Sequence, residues 1–181
     1  MTDYNPEKLE KEVSKFWREK NVKQKVREST EGNEPFFLID GPPYLNGSPH
    51  VGHMQGKVIK DVMLRFKQMQ GREVWDQAGF DTHGLPNELA TEEELGIEDK
   101  NEIGDSISAE KFIDECRKRA TSAKDEWQET MQNLAVWQDF EDPYMTFDAD
   151  YIETAWWLLQ KTEEQDLLYE GTKPIHWCPR C

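Results

Sequence analysis

The chain has 181 residues, of which 36% are hydrophobic and 33% are charged, and its formal net charge is −15. A protein whose whole surface binds nucleic acid is usually basic, so this charge argues against the chain being a main RNA-gripping surface. No apolar run approaches the roughly 18 residues that a membrane-spanning helix needs. The start of the chain lacks the basic and then apolar pattern of a secretion signal. A soluble cytoplasmic protein is therefore expected.

The beginning of the chain predicts a helix followed by a strand. Asn5 and Pro6 have the residue types of a helix cap and a first helical position. Apolar residues then recur on one helix face: Leu9, Val13, Phe16 and Trp17. Residues 27–35 are polar and predict a loop. Residues 36–39 form a short apolar run that predicts a buried strand, and the glycine and prolines within 40–43 end it.

A long helix and a second short strand are predicted next. Ser48 is expected to cap the helix, Pro49 to take its first position, and Gly71 to end it in a left-handed conformation. Apolar residues recur along it at steps of three and four: Val51, Met54, Val58, Val62, Phe66 and Met69. Residues 72–75 predict the second strand. A strand, a helix and a strand in this order predict a parallel βαβ unit.

The rest of the chain is mostly helical by the same periodicity. Residues 78–85 predict a loop, helices are predicted at 86–95, 109–134 and 151–164, and strands at 167–169 and 173–177. The residues expected to face inward are Phe112, Cys116, Ala120, Ala123, Trp127, Met131 and Leu134 in the second of these helices and Ile152, Ala155, Trp156 and Leu159 in the third. Trp156 and Trp157 are interpreted as core residues, and Glu92-Glu93-Glu94 as a solvated helix face.

The residues that point to chemistry are Pro49-His50-Val51-Gly52-His53, at the first turn of the long helix. A helix start favours anions, because it offers unpaired N–H groups and the positive end of the helix dipole. His50 and His53 are three residues apart and project from one face, while Gly52 leaves room for a close approach. Two imidazoles there can stabilise charge on a transferring phosphate. From these residues alone, a surface histidine pair or half of a metal site remains open.

Two longer blocks resemble a known family. Residues 40–53 read Asp-Gly-Pro-Pro-Tyr-Leu-Asn-Gly-Ser-Pro-His-Val-Gly-His and resemble the first signature region of class I aminoacyl-tRNA synthetases, usually summarised as His-Ile-Gly-His. Residues 79–86 read Gly-Phe-Asp-Thr-His-Gly-Leu-Pro and resemble isoleucyl-tRNA synthetases more than the leucine or valine enzymes. The resemblance, which runs through nearly the whole chain, implies an α/β fold. The implied fold is the first half of a Rossmann-like nucleotide-binding domain, with a parallel sheet, an N-terminal helix and long helical insertions.

The resemblance also implies a function and site residues. It implies ATP-dependent activation of isoleucine, with Mg²⁺ accompanying ATP, and transfer to tRNA(Ile) by a monomeric enzyme. His50 and His53 are implied to be the catalytic groups that hold the ATP phosphates. The other ATP-binding residues implied are Tyr44, Asn46, Gly47 and Gly52. Gly41 and Pro42 are implied to lie under the amino acid, and Asp81 to receive its ammonium group.

Each assignment has a simpler alternative. Gly41 to Pro43 can merely end a strand, Asp81 can be a turn residue that bonds its own backbone, and His83 can orient the loop. Two residues depart from the family pattern: Phe80 replaces a common Trp, and Asn87 replaces an apolar residue. The second change leaves the packing beneath the Asp81 loop undecided.

The family likeness also predicts how the chain is organised. Residues 1–34 are expected to be an N-terminal helical extension, 35–177 the first half of the catalytic domain, and 178–181 the start of a zinc-knuckle and editing-insertion region. Cys178 and Cys181 have the spacing of half a zinc site, and structural zinc needs four ligands. The second signature of the family, Lys-Met-Ser-Lys-Ser, is absent. A truncated piece that is inactive alone is therefore expected.

Three alternative functions remain open from the sequence. A synthetase for leucine or valine is the alternative within the family. A His-x-Gly-His nucleotidyltransferase or a non-catalytic truncated paralogue would belong to other classes.

Overall fold

The structure is a computed structural model that describes residues 4–38 and 41–178. The elements, in chain order, are α1 (Pro6–Glu19), α2 (Val22–Thr30), β1 (Pro35–Phe37), α3 (Val51–Met69), β2 (Glu73–Trp75), β3 (Gln77–Phe80), α4 (Leu85–Leu95), α5 (Glu102–Asp105), α6 (Ala109–Asn133), β4 (Asp139–Met145) and α7 (Ala149–Glu163). This is a mixed α/β chain, as predicted. No helix in the described part is both long and apolar enough to cross a membrane.

The chain divides into two compact units. The first unit comprises Met1–Gly41, Pro49–Ala78 and Trp127–Asp142, and the second comprises Pro42–Ser48, Gly79–Glu126 and Pro143–Cys181. Buried apolar side chains form a core in each. Those of the first unit are Leu64, Ala78, Trp127, Met131, Val136 and Phe140, and those of the second are Leu45, Phe80, Ile97, Phe112, Ala120 and Met145.

The predicted βαβ unit lies in the first unit and is confirmed. β1 and β2 pair in parallel with Phe36 opposite Val74, and α3 connects them along the chain. The prediction that the first strand is buried is wrong, because Phe37 and Trp75 are largely exposed and pack edge to face at 5.5 Å between ring centroids. Residue 39, the last of the predicted strand, lies outside the described residues.

The helix starts were only partly predicted. The Asn5 side chain accepts a hydrogen bond from the Lys8 amide at 3.0 Å and caps α1, as expected. The predicted start of α3 at Ser48 is wrong, since His50 is its cap and Val51 its first residue. A histidine takes the cap because its Nδ1 can accept from the free amides of the first turn. Gly71 follows the helix with φ of +82°, as predicted.

The face that α3 buries is not its apolar face. Its buried residues are Lys57, Asp61, Leu64 and Gln68, whereas Val51 is 77% exposed and Met69 is 86% exposed. Two of the buried polar groups have partners in the fold as follows: the Lys57 ammonium donates to the Gln138 side chain at 2.9 Å, and Asp61 accepts from Arg65 Nε at 2.7 Å. Apolar periodicity therefore predicted the helix correctly but not the side on which it packs.

Residues 27–30 are helical, so the loop predicted from residue 27 is wrong for its first part. α2 runs through them to Thr30, whose hydroxyl donates to the Arg27 carbonyl at 3.1 Å. The Arg27 guanidinium bonds the carboxylates of Asp76 and Asp139. The two aspartates are far from α2 in the sequence, and their ion pairs with Arg27 stabilise a helix that the polar sequence of residues 27–30 does not predict.

Two regions of the chain contain strands that were not predicted. β3 begins at Gln77, inside the stretch predicted to be a loop from residue 78, and pairs with β4 in a second two-stranded sheet. The strands predicted at 167–169 and 173–177 do not form. Residues 167–169 and 173–177 have the composition of strands, but they pair with no other strand among the described residues.

The helices α4 and α6 were predicted well, and α7 was predicted only in part. In α6, Phe112, Ala120, Trp127 and Met131 are buried as expected, although Leu134 lies after the helix end and is partly exposed. No residue of α7 is buried, so the predicted inward face of Ile152, Ala155, Trp156 and Leu159 is wrong. Trp156 and Trp157 are 67% and 53% exposed and are not core residues. Glu92 of α4 is only 2% exposed, so the acidic run is not wholly solvated.

Candidate functional site

The N-terminus of α3 is closed by its own two histidines. His50 Nδ1 accepts from the Gly52 amide at 3.1 Å and from the His53 amide at 3.4 Å. In return, the His50 amide donates to His53 Nδ1 at 3.3 Å. The rings stack with centroids 3.6 Å apart and planes inclined by 20°. This is a capping box built from imidazoles instead of a hydroxyl and a carboxylate.

The caps determine which ring nitrogen carries the proton. A neutral imidazole has one donor and one acceptor nitrogen. Since Nδ1 of His50 and of His53 each accepts from an amide, the proton of each neutral ring is on Nε2. Burial, followed by the charges of His50 and Lys57, lowers the pKa of His53 below its ordinary value. The turn therefore presents two Nε2–H donors, which can bind the oxygens of an anion.

Neighbouring groups constrain both rings. The indole of Trp127, a buried residue of α6, lies 4.7 Å from the His53 ring centroid. A Cβ at Gly52 would meet the His50 ring at 3.1 Å, which is a tight contact. The sequence suggested that Gly52 leaves room for a ligand. The structure adds that Gly52 leaves room for the capping ring.

In the second unit, the backbone around Asp81 is held beside residues 43–45. The Asp81 amide donates to the Pro43 carbonyl at 2.9 Å, and the Leu45 amide donates to the Asp81 carbonyl at 2.9 Å. Tyr44 and Asp81 form the parallel bridge between these segments. The Tyr44 hydroxyl lies 2.9 Å from the His83 carbonyl and accepts from the Asn87 amide at 3.1 Å. Burial raises the pKa of Tyr44, which keeps the phenol protonated.

The side chain of Asp81 has a partner that sequence analysis missed. The Thr146 hydroxyl donates to Asp81 Oδ1 at 3.1 Å and lies 3.0 Å from His83 Nδ1. The Thr82 amide donates to the same hydroxyl at 3.0 Å. Thr146 is buried, just after β4. A lone threonine 65 residues away in sequence gave no signal, because only folding brings it beside Asp81.

Asn87 lies beneath this loop with one of its polar atoms unpaired. Its Nδ2 donates to the Cys116 carbonyl at 3.1 Å and approaches the Thr82 carbonyl at 3.4 Å. Its Oδ1 is buried without a hydrogen-bond partner. The amide thus replaces apolar packing with bonds to α6 and to the residue after Asp81. Burial raises the pKa of the Cys116 thiol. Cys116 was predicted to face inward, and it is only partly buried.

A cavity of about 500 Å³ adjoins Gly47 in the second unit. Its lining includes Ser48, Glu94 and Arg119. The Arg119 guanidinium donates to the Asn46 carbonyl at 2.9 Å and pairs with Glu94. Arg119 therefore attaches the predicted ATP-binding loop to α4 and α6.

The predicted site residues divide between the two units. Gly41, His50, Gly52 and His53 belong to the first unit, and Pro42, Tyr44, Asn46, Gly47 and Asp81 to the second. His50 contacts His53, and Tyr44 contacts Asp81, within their own units. Residue 40, which opens the first signature block, lies outside the described residues.

The predicted zinc half-site stays a prediction, because only one of its two cysteines lies among the described residues. Cys178 is exposed, and Cys181 lies outside the described residues. Between residues 4 and 178, the described residues contain no group of three or more His, Cys, Asp or Glu side chains placed to hold a metal.

Comparisons with known proteins agree with the fold and with the motifs. The family model for class I tRNA synthetases (I, L, M and V) matches residues 12–181, and the chain belongs to this family. Among its curated relatives, the isoleucine–tRNA ligase of Pyrococcus horikoshii is 44% identical over 179 residues, which are 99% of this chain and 17% of the relative. The isoleucine–tRNA ligase of Methanocaldococcus jannaschii is 43% identical over 177 residues, again 17% of the relative.

A solved structure supports the same architecture. The agnB2 LeuRS of Agrobacterium radiobacter K84, in a ternary complex with tRNA and LeuAMS, superposes with a TM-score of 0.64 at 20% identity. The match covers 86% of this chain and 18% of that one. The fold is therefore that of a class I synthetase and Rossmann-like, as predicted.

Proposed function

We propose that this chain carries part of the active site of a cytoplasmic isoleucine–tRNA ligase. In the first step, the isoleucine carboxylate attacks the α-phosphorus of ATP, which arrives with Mg²⁺. One P–O bond forms, the bond to the β-phosphate breaks, and pyrophosphate leaves. In the second step, the aminoacyl group passes from the adenylate to the terminal ribose of tRNA(Ile), and AMP leaves.

The arrangement of His50 and His53 carries the proposal. Their Nε2–H groups would bind phosphate oxygens and stabilise the charge that develops as pyrophosphate departs. Gly52 leaves backbone room there, while Tyr44, Asn46 and Gly47 would shape the ATP end of the pocket.

The Asp81 carboxylate would bind the substrate ammonium. Its backbone is held by bonds to Pro43 and Leu45. Gly41 and Pro42 would lie beneath the amino acid. A fixed negative partner orients the substrate so that its carboxylate faces the α-phosphate.

The test uses the complete polypeptide that carries this sequence, in an assay of amino-acid-dependent exchange between ATP and pyrophosphate. Isoleucine should support exchange better than valine or leucine. Discrimination against valine should be modest at this step, because one missing methylene is worth only about 10–200-fold, for which the isoleucine enzyme is itself a reference case.

The most informative variant is His50→Asn. The asparagine Oδ1 can still cap α3, whereas the Nε2–H donor is lost. We expect exchange to fall by about a hundredfold or more, with an unchanged melting temperature. His176→Asn, at an exposed histidine of the C-terminal segment, is the matched control and should exchange normally. Normal exchange by His50→Asn would refute the assignment of His50 to phosphate binding.

A further inference from the structure

Three side chains lie within hydrogen-bond distance of the Thr146 hydroxyl, besides the Thr82 amide that donates to it, and they restrict where its single proton can go. Asp81 Oδ1 lies 3.1 Å away, His83 Nδ1 3.0 Å away and Thr82 Oγ1 3.2 Å away. An ionised carboxylate only accepts hydrogen bonds. The Thr146 proton is therefore directed to Asp81, and the remaining groups must donate to Thr146 or turn away from it.

The hydrogen bond to Asp81 limits what Thr146 can offer to His83. Because the hydroxyl proton is committed to Asp81, Thr146 offers His83 only an oxygen lone pair. The His83 ring must then carry its proton on Nδ1 to make the 3.0 Å contact. His50 and His53 instead accept at Nδ1, so the His83 tautomer is opposite to theirs.

We propose that Thr146 is a positioning residue for amino-acid activation, acting through the Asp81 carboxylate and fixing the His83 tautomer. It fixes the carboxylate by the hydrogen bond to Oδ1, leaving the other oxygen for a ligand. This role rests on the proposed function of Asp81 as the partner of the substrate ammonium. The tautomer of His83 follows from the hydrogen bonds of Thr146 and does not depend on what the chain binds.

A purely structural role for Thr146 is the alternative. Its hydroxyl also accepts from the Thr82 amide at 3.0 Å, so its loss would loosen the loop in any case. Thr91 provides a comparison, because it is equally buried and its hydroxyl donates to the Asn87 carbonyl at 2.9 Å. Removing either hydroxyl costs a buried hydrogen bond, but only one of the two is bonded to Asp81.

The kinetic test measures isoleucine-dependent exchange between ATP and pyrophosphate in the complete polypeptide. Thr146→Val should raise the KM for isoleucine by about tenfold or more, since a hydrogen bond to a charged group is lost, and leave the KM for ATP unchanged. Thr146→Ser, which retains the hydroxyl, should have an isoleucine KM close to that of the unaltered protein. Thr91→Val should lower the melting temperature without changing either KM.

A double-mutant cycle separates this proposal from the proposed function. If Thr146 acts through Asp81, then Thr146→Val should have no further effect on the isoleucine KM in an Asp81→Asn background. If Asp81→Asn matters and Thr146→Val does not, the positioning role is wrong and the proposed function stands. If Asp81→Asn itself leaves the isoleucine KM unchanged, the ammonium-binding role of Asp81 and the positioning role of Thr146 both fail, whereas the phosphate-binding role of His50 is tested separately by His50→Asn.

A spectroscopic measurement needs no activity. Imidazole ¹⁵N chemical shifts at a pH above the ordinary histidine pKa should show His83 with its proton on Nδ1. Thr146→Val should shift the ring toward the Nε2–H form, while His50 and His53 keep theirs. An Nε2–H ring at His83 in the unaltered protein would overturn the assignment, whether or not the valine variant folds.

Discussion

The phenol ring of Tyr144 occupies the space that a side chain at Gly79 would need. A Cβ built at Gly79 would overlap the Tyr144 ring, including Cζ and the hydroxyl oxygen. The same ring stacks on Tyr151, with 5.8 Å between centroids and planes 3° apart. Gly79 is thus required by packing, not by a left-handed backbone, and it lies two residues before Asp81.

Gly79→Ala is expected to destabilise the protein. The ring must move or β3 must bend, and overpacking of this kind costs about 1–3 kcal/mol. The measurement is the free energy of unfolding in urea. Gly56→Ala is the matched control, because its Cβ would meet nothing within 4 Å on α3. That change should stabilise by about 0.5–1 kcal/mol. Equal effects of the two substitutions would contradict the packing argument.

Arg65 joins α3 to two tryptophans and should be intolerant of lysine. Its guanidinium lies 4.2 Å from the Trp137 ring centroid and 5.1 Å from that of Trp17, and its Nε donates to Asp61 at 2.7 Å. Arg65→Lys keeps the charge but loses the planar stack and the fork of donors. We expect a loss of about 1–3 kcal/mol in unfolding free energy. Lys15→Ala, at an exposed ion pair on α1, should change stability little.

The lowered pKa of His53 predicts a loss of stability in mild acid. Burial is its main cause, and the charges of His50 and Lys57 add to it. In the folded state, His53 takes up a proton at lower pH than in the unfolded chain, where its pKa is about 6.5. The His53 contribution is therefore complete above that pH and is lost as pH falls from there through the folded pKa.

Two measurements check the His53 prediction. The Cε1–H resonance of His53 should titrate below about pH 6.5. His53→Gln should reduce the decline in unfolding free energy as pH falls through this range. A His53 midpoint at or above that of a histidine in an unfolded peptide would show that the ring is not held neutral.

Arg119 is predicted to restrain the loop that contains Asn46 and Gly47. Arg119→Ala removes the donor to the Asn46 carbonyl and should speed amide hydrogen exchange at residues 46–48 by about tenfold, as expected for one lost hydrogen bond. Lys118→Ala is the neighbouring control, since Lys118 is exposed and pairs with Glu115. Unchanged exchange in Arg119→Ala would mean that the loop is held by other contacts.

Local chemistry explains the elements that sequence predicted well. Asn5 caps α1 through an amide three residues away, and Gly71 ends α3 with a positive φ. In α6, Phe112, Ala120 and Trp127 are buried as predicted, because a long amphipathic helix has an unambiguous inward face. The histidine motif was also recognisable, since both rings lie in one turn.

Long-range partners explain what sequence did not predict. β4 contains Asp139, Glu141, Asp142 and Pro143, which are poor strand formers, yet it pairs with β3. The buried face of α3 is polar because Asp61 accepts from the Trp137 amide at 2.6 Å across 76 residues of sequence. The apolar face of α7 stays exposed, so its periodicity predicted a helix but not its packing.

The amino-acid sequence alone determined where α1 begins, which turn holds His50 and His53, and which family the motifs resemble, because each depends on neighbours a few residues apart. Only the tertiary structure decided that Asp81 is held by Thr146, since that bond joins residues 65 apart. A buried hydroxyl can satisfy any nearby acceptor, and nothing in its local sequence specifies which acceptor folding brings to it.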